Sequence, residues 1–247
     1  MQTEKQGDIV AANIHPMTGS KIDQITGKTT KHLAVTGPYT GILHSEVVGP
    51  FVELKKLAAQ AGFNLQIISG YRSFSRQLAI WNAKVRGERA VLDDDSNELD
   101  LSLLSPAEIM HAVLRWSALP GASRHHWGTD IDVYDADAVD QSYQVQLIPE
   151  ETLGDGPFSA MHQWLDETLS LTGFYRPYAE DRGGSGAERW HLSYAPVAER
   201  YAKQLSSATI MSALAEVEIE LWDNITRDIN SIFHRYIVVP SSQPEKN

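Results

Sequence analysis

Cysteine is absent from this 247-residue chain, which removes disulfide frameworks, thiolate metal sites and cysteine nucleophiles from consideration. Any metal must then be held by histidine and carboxylate. Basic charge is also scarce: 21 Lys and Arg stand against 32 Asp and Glu, a formal net charge of -11. Nucleic acid and anionic membrane surfaces both attract basic patches, so neither is expected as a partner. No apolar run approaches membrane-spanning length, and the opening MQTEKQGDIVAANIH has neither a basic nor an apolar leader region. The chain therefore reads as soluble, with no membrane insertion. A native start at Met1 would place it in the cytoplasm, whereas a leader removed upstream would place it in the periplasm or cell envelope. What is present is 42% hydrophobic residues with six Trp, enough for a substantial core in one large or two small domains.

Residues 1–44 are polar, rich in Thr and Gly and without a sustained period, and read as an irregular arm holding one short strand. Pro50 opens a helical pattern at Phe51, Leu54, Leu57, Ala58 and Ala61 that Gly62 closes. Phe63, Leu65 and Ile67 alternate with Asn64 and Gln66, the period of a strand ending at Ser69-Gly70. Helices are expected over about 73–84, from Pro106 to just before Pro120-Gly121, and over 157–171. Further strands are expected at Ile131 and Val133 and over about 188–194. An acidic loop (87–104) and a long polar insertion (136–156) separate them. Strands and helices mix without a βαβ rhythm, which indicates an α+β fold. Beyond Pro196, Leu214, Val217, Leu221, Ile225, Ile229, Ile232 and Tyr236 recur at three- and four-residue steps, the pattern of one long amphipathic helix. Its apolar stripe is expected to pack on its own domain; the alternative is a homodimer formed through that helix. The division expected is an arm (1–44), a central domain (45–195) and a C-terminal helical extension (196–247).

The chemistry concentrates in SRHHWGTDID, residues 123–132. A catalytic zinc needs three protein ligands, an open position and a nearby carboxylate that moves a proton. His125, Asp132 and His191 can supply the ligands, and Glu188, three residues before His191, the carboxylate. His126 adjoins His125 and could ligate in its place, although packing suits it better. On strict strand alternation His125 and Asp132 would face opposite ways, as would Glu188 and His191. His125 must therefore sit in the loop before its strand, where Gly128 permits a bend, and Glu188 or His191 at a bulge or strand end. A lone loop histidine usually just bonds a neighbouring carboxylate. Asp132, however, would be a bare charge in an apolar strand without a cation.

At these residues the chain resembles the VanY-type zinc D-alanyl-D-alanine carboxypeptidases. That family carries Ser-x-His-x-x-Gly-x-Ala-x-Asp followed by Glu-x-Trp-His, matched here by Ser123, His125, Gly128 and Asp132, then Glu188, Trp190 and His191. Its Ser-Gly-Tyr-Arg-Ser element stands at residues 69–73 with Gln77 one helical turn on, and its Gly-Phe-x-x-Pro-Tyr run at 173–178. The resemblance covers about residues 45–195 and implies the α+β fold shared by DD-peptidases and the Hedgehog signalling domain, a central antiparallel sheet flanked by helices. It also implies one zinc per chain held by His125, Asp132 and His191, with Glu188 as the catalytic base. Arg72 would stabilise the developing oxyanion or hold a terminal carboxylate, and Ser123, Gln77 and Tyr71 are candidate substrate contacts, Tyr71 more as a cleft wall. Trp190 would line the cleft or core. The family usually has a small residue where this chain has Asp130, which shares the face of Asp132 and would either orient a ligand histidine or compete for the metal.

The expected activity is zinc-dependent removal of the terminal D-alanine from a peptidoglycan stem peptide. Rivals on the same fold are cleavage of an L,D bond, of a free dipeptide or of an internal bond. From another class, the rival is a non-catalytic zinc-containing peptidoglycan-binding module, against which the intact Glu188 speaks. A third is a regulatory protein governed by the C-terminal helix. His15, His32, His44, His111, His162 and His234 show no partner spacing and carry no assigned role.

Overall fold

Leu65 and Ile67 alternate with polar neighbours, and Ile131 and Val133 alternate with Asp130 and Asp132. Both segments become strands of one sheet in the computed structural model, which describes residues 19–35 and 41–240. The four-stranded antiparallel sheet has β3 (Leu65–Ser69), β4 (Asp130–Asp135), β6 (His191–Tyr194) and β5 (Phe174–Tyr175) side by side in that order. Ile131 and Val133 are buried on one face of the central strand β4. The register does the converging: Asp132 lies opposite Ser69 on one side and His191 on the other. Directly opposed residues share a face, so three segments far apart in sequence meet in one row.

The helices α2 (Val48–Gln60), α3 (Phe74–Val85) and α4 (Pro106–Trp116) bury Phe51 and Leu54, Phe74 and Trp81, and Met110 and Val113 respectively. Each start is legible. Ser73 caps α3 by accepting from the Arg76 amide, and Ser105 and Glu108 form a capping box ahead of Pro106. The helix α5 (Ser159–Thr168) ends in a 3-10 turn, slightly inside the expected 157–171.

Two regions differ from expectation. Where an irregular arm was expected, α1 (Gly19–Ile25) and a hairpin of β1 (Leu33–Val35) with β2 (Ile42–His44) place Ile25 and Leu43 in the core. Residues 1–18, including His15, and 36–40 lie outside the described residues. The expected single C-terminal helix is instead α6 (Ala195–Ala202), α7 (Ser207–Leu214) and α8 (Trp222–Ile232), the last running on into a π-turn at 233–237. Leu221 adopts a left-handed φ of 64°. The break is held by α3, where Trp81 Nε1 donates to the Glu220 carbonyl (3.1 Å) and the Glu220 amide donates to Asn82 Oδ1 (2.9 Å). The apolar period survives the break because it records burial: Leu214, Ile225 and Ile232 all join the same core as Trp81 and Ile131. The stripe is thus covered by its own chain. Among the described residues no helix is long and apolar enough to cross a membrane.

Candidate metal centre and active-site cavity

His125 sits in a 3-10 turn (Arg124–Trp127) that Gly128 ends at φ 67°. A Cβ at Gly128 would lie 2.6 Å from the His44 amide nitrogen, so only glycine fits this bend. His125 Nδ1 lies 2.9 Å from the Gly70 carbonyl, a contact that needs the proton on Nδ1 and turns Nε2 toward Asp132 Oδ2 at 3.3 Å. His191 is the first residue of β6, and Glu188 lies in the turn before it, which resolves the alternation problem for both. His191 Nε2 meets Asp130 Oδ1 at 2.9 Å, which leaves Nδ1 facing Asp132 Oδ1 at 3.2 Å and Glu188 Oε2 at 3.3 Å.

The donor atoms of His125, Asp132 and His191 lie within 4.8 Å of one another. Zinc bonds of about 2.0–2.1 Å place tetrahedral neighbours about 3.3 Å apart, which matches the two imidazole–carboxylate separations. Asp132 Oδ1 is buried with no hydrogen-bond partner, an arrangement that is costly unless a cation completes it. Burial opposes ionisation of Asp132, yet His125 and His191 hold it well below the usual carboxylate range. Burial would likewise push His191 down, but Asp130, Asp132 and Glu188 raise it well above its ordinary value. The residues present therefore fit a divalent cation. Glu188 is the most open of the four, its side chain 15% exposed against 4–7% for the other three.

Asp130 takes no part in this triangle, because all its acceptor positions are used. Oδ1 accepts from Arg124 Nε (2.7 Å) as well as His191, and Oδ2 accepts from Thr129 Oγ1 (2.6 Å) and Ser193 Oγ (3.1 Å). Of its two expected roles, the geometry leaves orientation of the histidine. Arg124, Ser193 and Tyr175 are the residues that sequence reasoning missed. Arg124 is buried against Trp127 and also donates to Ser193 Oγ (2.7 Å) and the Tyr175 hydroxyl (3.1 Å). The available signal was Asp130 itself, since a second carboxylate in an apolar strand demands a nearby cation. His126 is not a ligand. Its Nδ1 reaches the Arg72 carbonyl and its Nε2 accepts from the Gly121 amide (3.0 Å), and burial pushes its pKa down to about 3.

The candidate metal site opens into a cavity of about 750 Å³ lined by Arg72, Tyr71, Ser123, Glu188 and Trp190. The Tyr71 hydroxyl donates to the Gly27 carbonyl (3.2 Å), so this side chain serves as wall. Gln77, expected to touch substrate, does not reach the cavity. It is fully buried, with Oε1 accepting from Arg72 Nη1 (2.9 Å) and Nε2 donating to the Ala118 carbonyl (2.7 Å). With Ser69 Oγ on Nη2 (3.0 Å), Gln77 fixes the aim of Arg72. The polar insertion supplies the lip, Gln146–Pro149. The buried Glu151 carboxylate pins it by accepting from the Tyr143 hydroxyl (2.9 Å) and the amides of Gln146 (2.9 Å) and Leu147 (2.8 Å). On the opposite side Ser185 also lines the cavity, and its hydroxyl donates to the Tyr236 carbonyl (3.3 Å), tying the loop before Glu188 to the C-terminal segment.

Two uncharacterised proteins of Haemophilus influenzae are similar in sequence. One is 43% identical over 100 residues, covering 39% of this chain and 68% of its own length. The other is 34% identical over 122 residues, covering 49% and 93%. Among solved structures, a zinc complex of a mutant VanY D,D-pentapeptidase from the VanB-type vancomycin-resistance cassette matches 74% of this chain and 92% of its own. It does so at 20% identity and a TM-score of 0.47, too loose a likeness to carry an argument about chemistry. The profile of the VanY family, described as D-alanyl-D-alanine carboxypeptidase, matches residues 41–197 and so spans the sheet, the candidate metal site and the cavity. This chain therefore belongs to the VanY family of D-alanyl-D-alanine carboxypeptidases.

Proposed function

We propose that this protein is a zinc-dependent carboxypeptidase that removes the terminal D-alanine of a peptidoglycan stem peptide. The observation that carries the reading is Glu188. Its carboxylate stands at the cavity face of the ligand triangle, 3.3 Å from His191 Nδ1, where a purely structural metal site would need no carboxylate beyond Asp132. Zinc held by His125, Asp132 and His191 would supply Lewis acidity toward the scissile carbonyl and the attacking water. Glu188 accepts the proton of that water and returns it to the leaving amine. Arg72, held by Gln77 and Ser69, directs its guanidinium at the carbonyl oxygen as negative charge develops there. Burial lowers the Arg72 pKa and the Asp132 and Glu188 carboxylates offset that, so the guanidinium is kept charged beside the reacting centre.

The test is zinc analysis of the purified chain together with mass analysis of defined tri-, tetra- and pentapeptide stems. Release of a single D-alanine from the pentapeptide is expected. Release of a dipeptide, cleavage after an L-residue, or internal cutting would move the assignment to one of the same-fold rivals. Stems left intact by zinc-loaded protein would overturn the peptidase reading.

A further inference from the structure

The wall of the cavity beside Arg72 has the opposite character to the chain as a whole. The protein carries a formal charge of -11, yet Arg76, Lys84 and Arg89 line this wall together. Arg76, Ile80 and Lys84 follow one another at four-residue steps along α3 and present one helix face to the cavity, with Arg89 just beyond the helix end. Among the described residues, Arg76 and Arg89 are the only arginines whose side chains make neither an ion pair nor a hydrogen bond. Lys84 likewise has no carboxylate within ion-pair distance. Arg86, turned away from the cavity, is by contrast paired with Glu88 (2.7 Å) and Glu220 (3.2 Å). Asp93, which also lines the cavity, spends Oδ1 on the amides of Asp95 (2.9 Å) and Asn97 (2.8 Å). Burial, then the neighbouring Arg89 and Arg72, push Lys84 down to about 8 against the opposing pull of Glu188. Like charges left facing one another across open space are relieved by an anion.

We propose that Arg76, Lys84 and Arg89 form a subsite for a substrate carboxylate carried upstream of the cleaved bond, distinct from the terminal carboxylate. The row is too long for a terminal carboxylate alone. From Arg76 to Lys84 the helix advances about 12 Å, the reach of about three to four extended substrate residues. The substrate class is thus a polyanionic peptide, with one carboxylate at its end and at least one more on a residue upstream of the cut.

This rests on the peptidase reading, and the experiment separates the two. Two stem pentapeptides are compared that differ only in whether an upstream carboxylate is free or converted to the amide. With zinc-loaded protein the amide should raise KM about tenfold, the weight of one charge-assisted contact, with little change in kcat. In the Lys84→Gln/Arg89→Gln double variant the two peptides should become equivalent, whereas Lys203→Gln, at an exposed position outside the cavity lining, should keep the tenfold preference. Calorimetric binding of both peptides to the zinc-loaded Glu188→Gln protein gives the same comparison without turnover. Equal affinity for the two in otherwise unaltered protein, or a preference that persists in the double variant, overturns the subsite. Absence of cleavage with the binding preference intact would overturn only the peptidase reading.

Discussion

The two sides of the cavity satisfy their charges in opposite ways. On the sheet side nearly every polar atom has a protein partner: His125 leans on the Gly70 carbonyl, His191 on Asp130, and Asp130 in turn on Arg124, Thr129 and Ser193. The exception is Asp132 Oδ1, buried without a hydrogen bond and 3.2 Å from His191 Nδ1. On the helix side Arg76, Lys84 and Arg89 make no side-chain hydrogen bond or ion pair among the described residues, and only Arg72 is fixed, by Gln77 and Ser69. A tightly braced network with one acceptor left over is completed by a cation held in a single place. A loose row of cations is completed by an anion that comes and goes. The sheet side is therefore expected to govern whether chemistry happens, and the helix side which peptide receives it.

The largest effects should fall on the sheet side. Glu188→Gln is expected to keep zinc while kcat falls about 10²–10⁴-fold, whereas His191→Ala should lose zinc and activity together; metal analysis beside steady-state kinetics separates the two. If Glu188→Gln keeps full activity, the division of labour within the sheet side collapses. Next in size, Asp130→Asn should weaken zinc binding about 10–100-fold, because the acceptor that orients His191 loses its charge. It should also destabilise the fold by about 3 kcal/mol, because Arg124 then lies buried without its counter-charge. A chelator competition and a denaturant titration read these separately. An unchanged zinc affinity would remove Asp130 from the account of the site.

The smallest effect belongs to the helix side and depends on pH. Lys84 titrates near pH 8 where a free lysine would hold its proton to about 10.4. It is charged below that value and neutral above it, so KM for an acidic stem should rise a few-fold as pH passes from 7 to 9, and Lys84→Gln should flatten that rise. The stability sign follows from the same shift. Between pH 8 and the unfolded value the unfolded chain binds the extra proton, so this group makes the protein more stable, not less, as pH rises through that window. A KM profile identical in Lys84→Gln would leave the contrast between the walls without functional meaning.

The motif residues were legible because their chemistry is local. Ser123, His125, Gly128 and Asp132 are fixed relative to each other by one turn and one strand, and the need for a bend at Gly128 follows from alternation alone. The meeting of Asp132 with His191 depends on strand register, which no spacing states, and the partnership of Asp130 with Arg124 and Ser193 depends on it too. Gln77 was misread as a substrate contact for a related reason. A polar residue one turn into a helix looks exposed until the helix is docked, and here it is buried beneath Arg72. In the C-terminal extension, spacing from Leu214 to Tyr236 reported burial faithfully but not the backbone break at Leu221, because the groups that hold that break are Trp81 and Asn82 in a distant helix.

The central claim is that two imidazoles and one aspartate converge on a single cation. Zinc titration of metal-free protein, paired with X-ray absorption of the loaded form, tests it most directly. One zinc per chain is predicted, with a first shell of two imidazole nitrogens and carboxylate or water oxygens, and with binding abolished in both His125→Ala and His191→Ala. Protein that takes up no zinc, or an His191→Ala variant that binds it as tightly as the parent, would contradict the account.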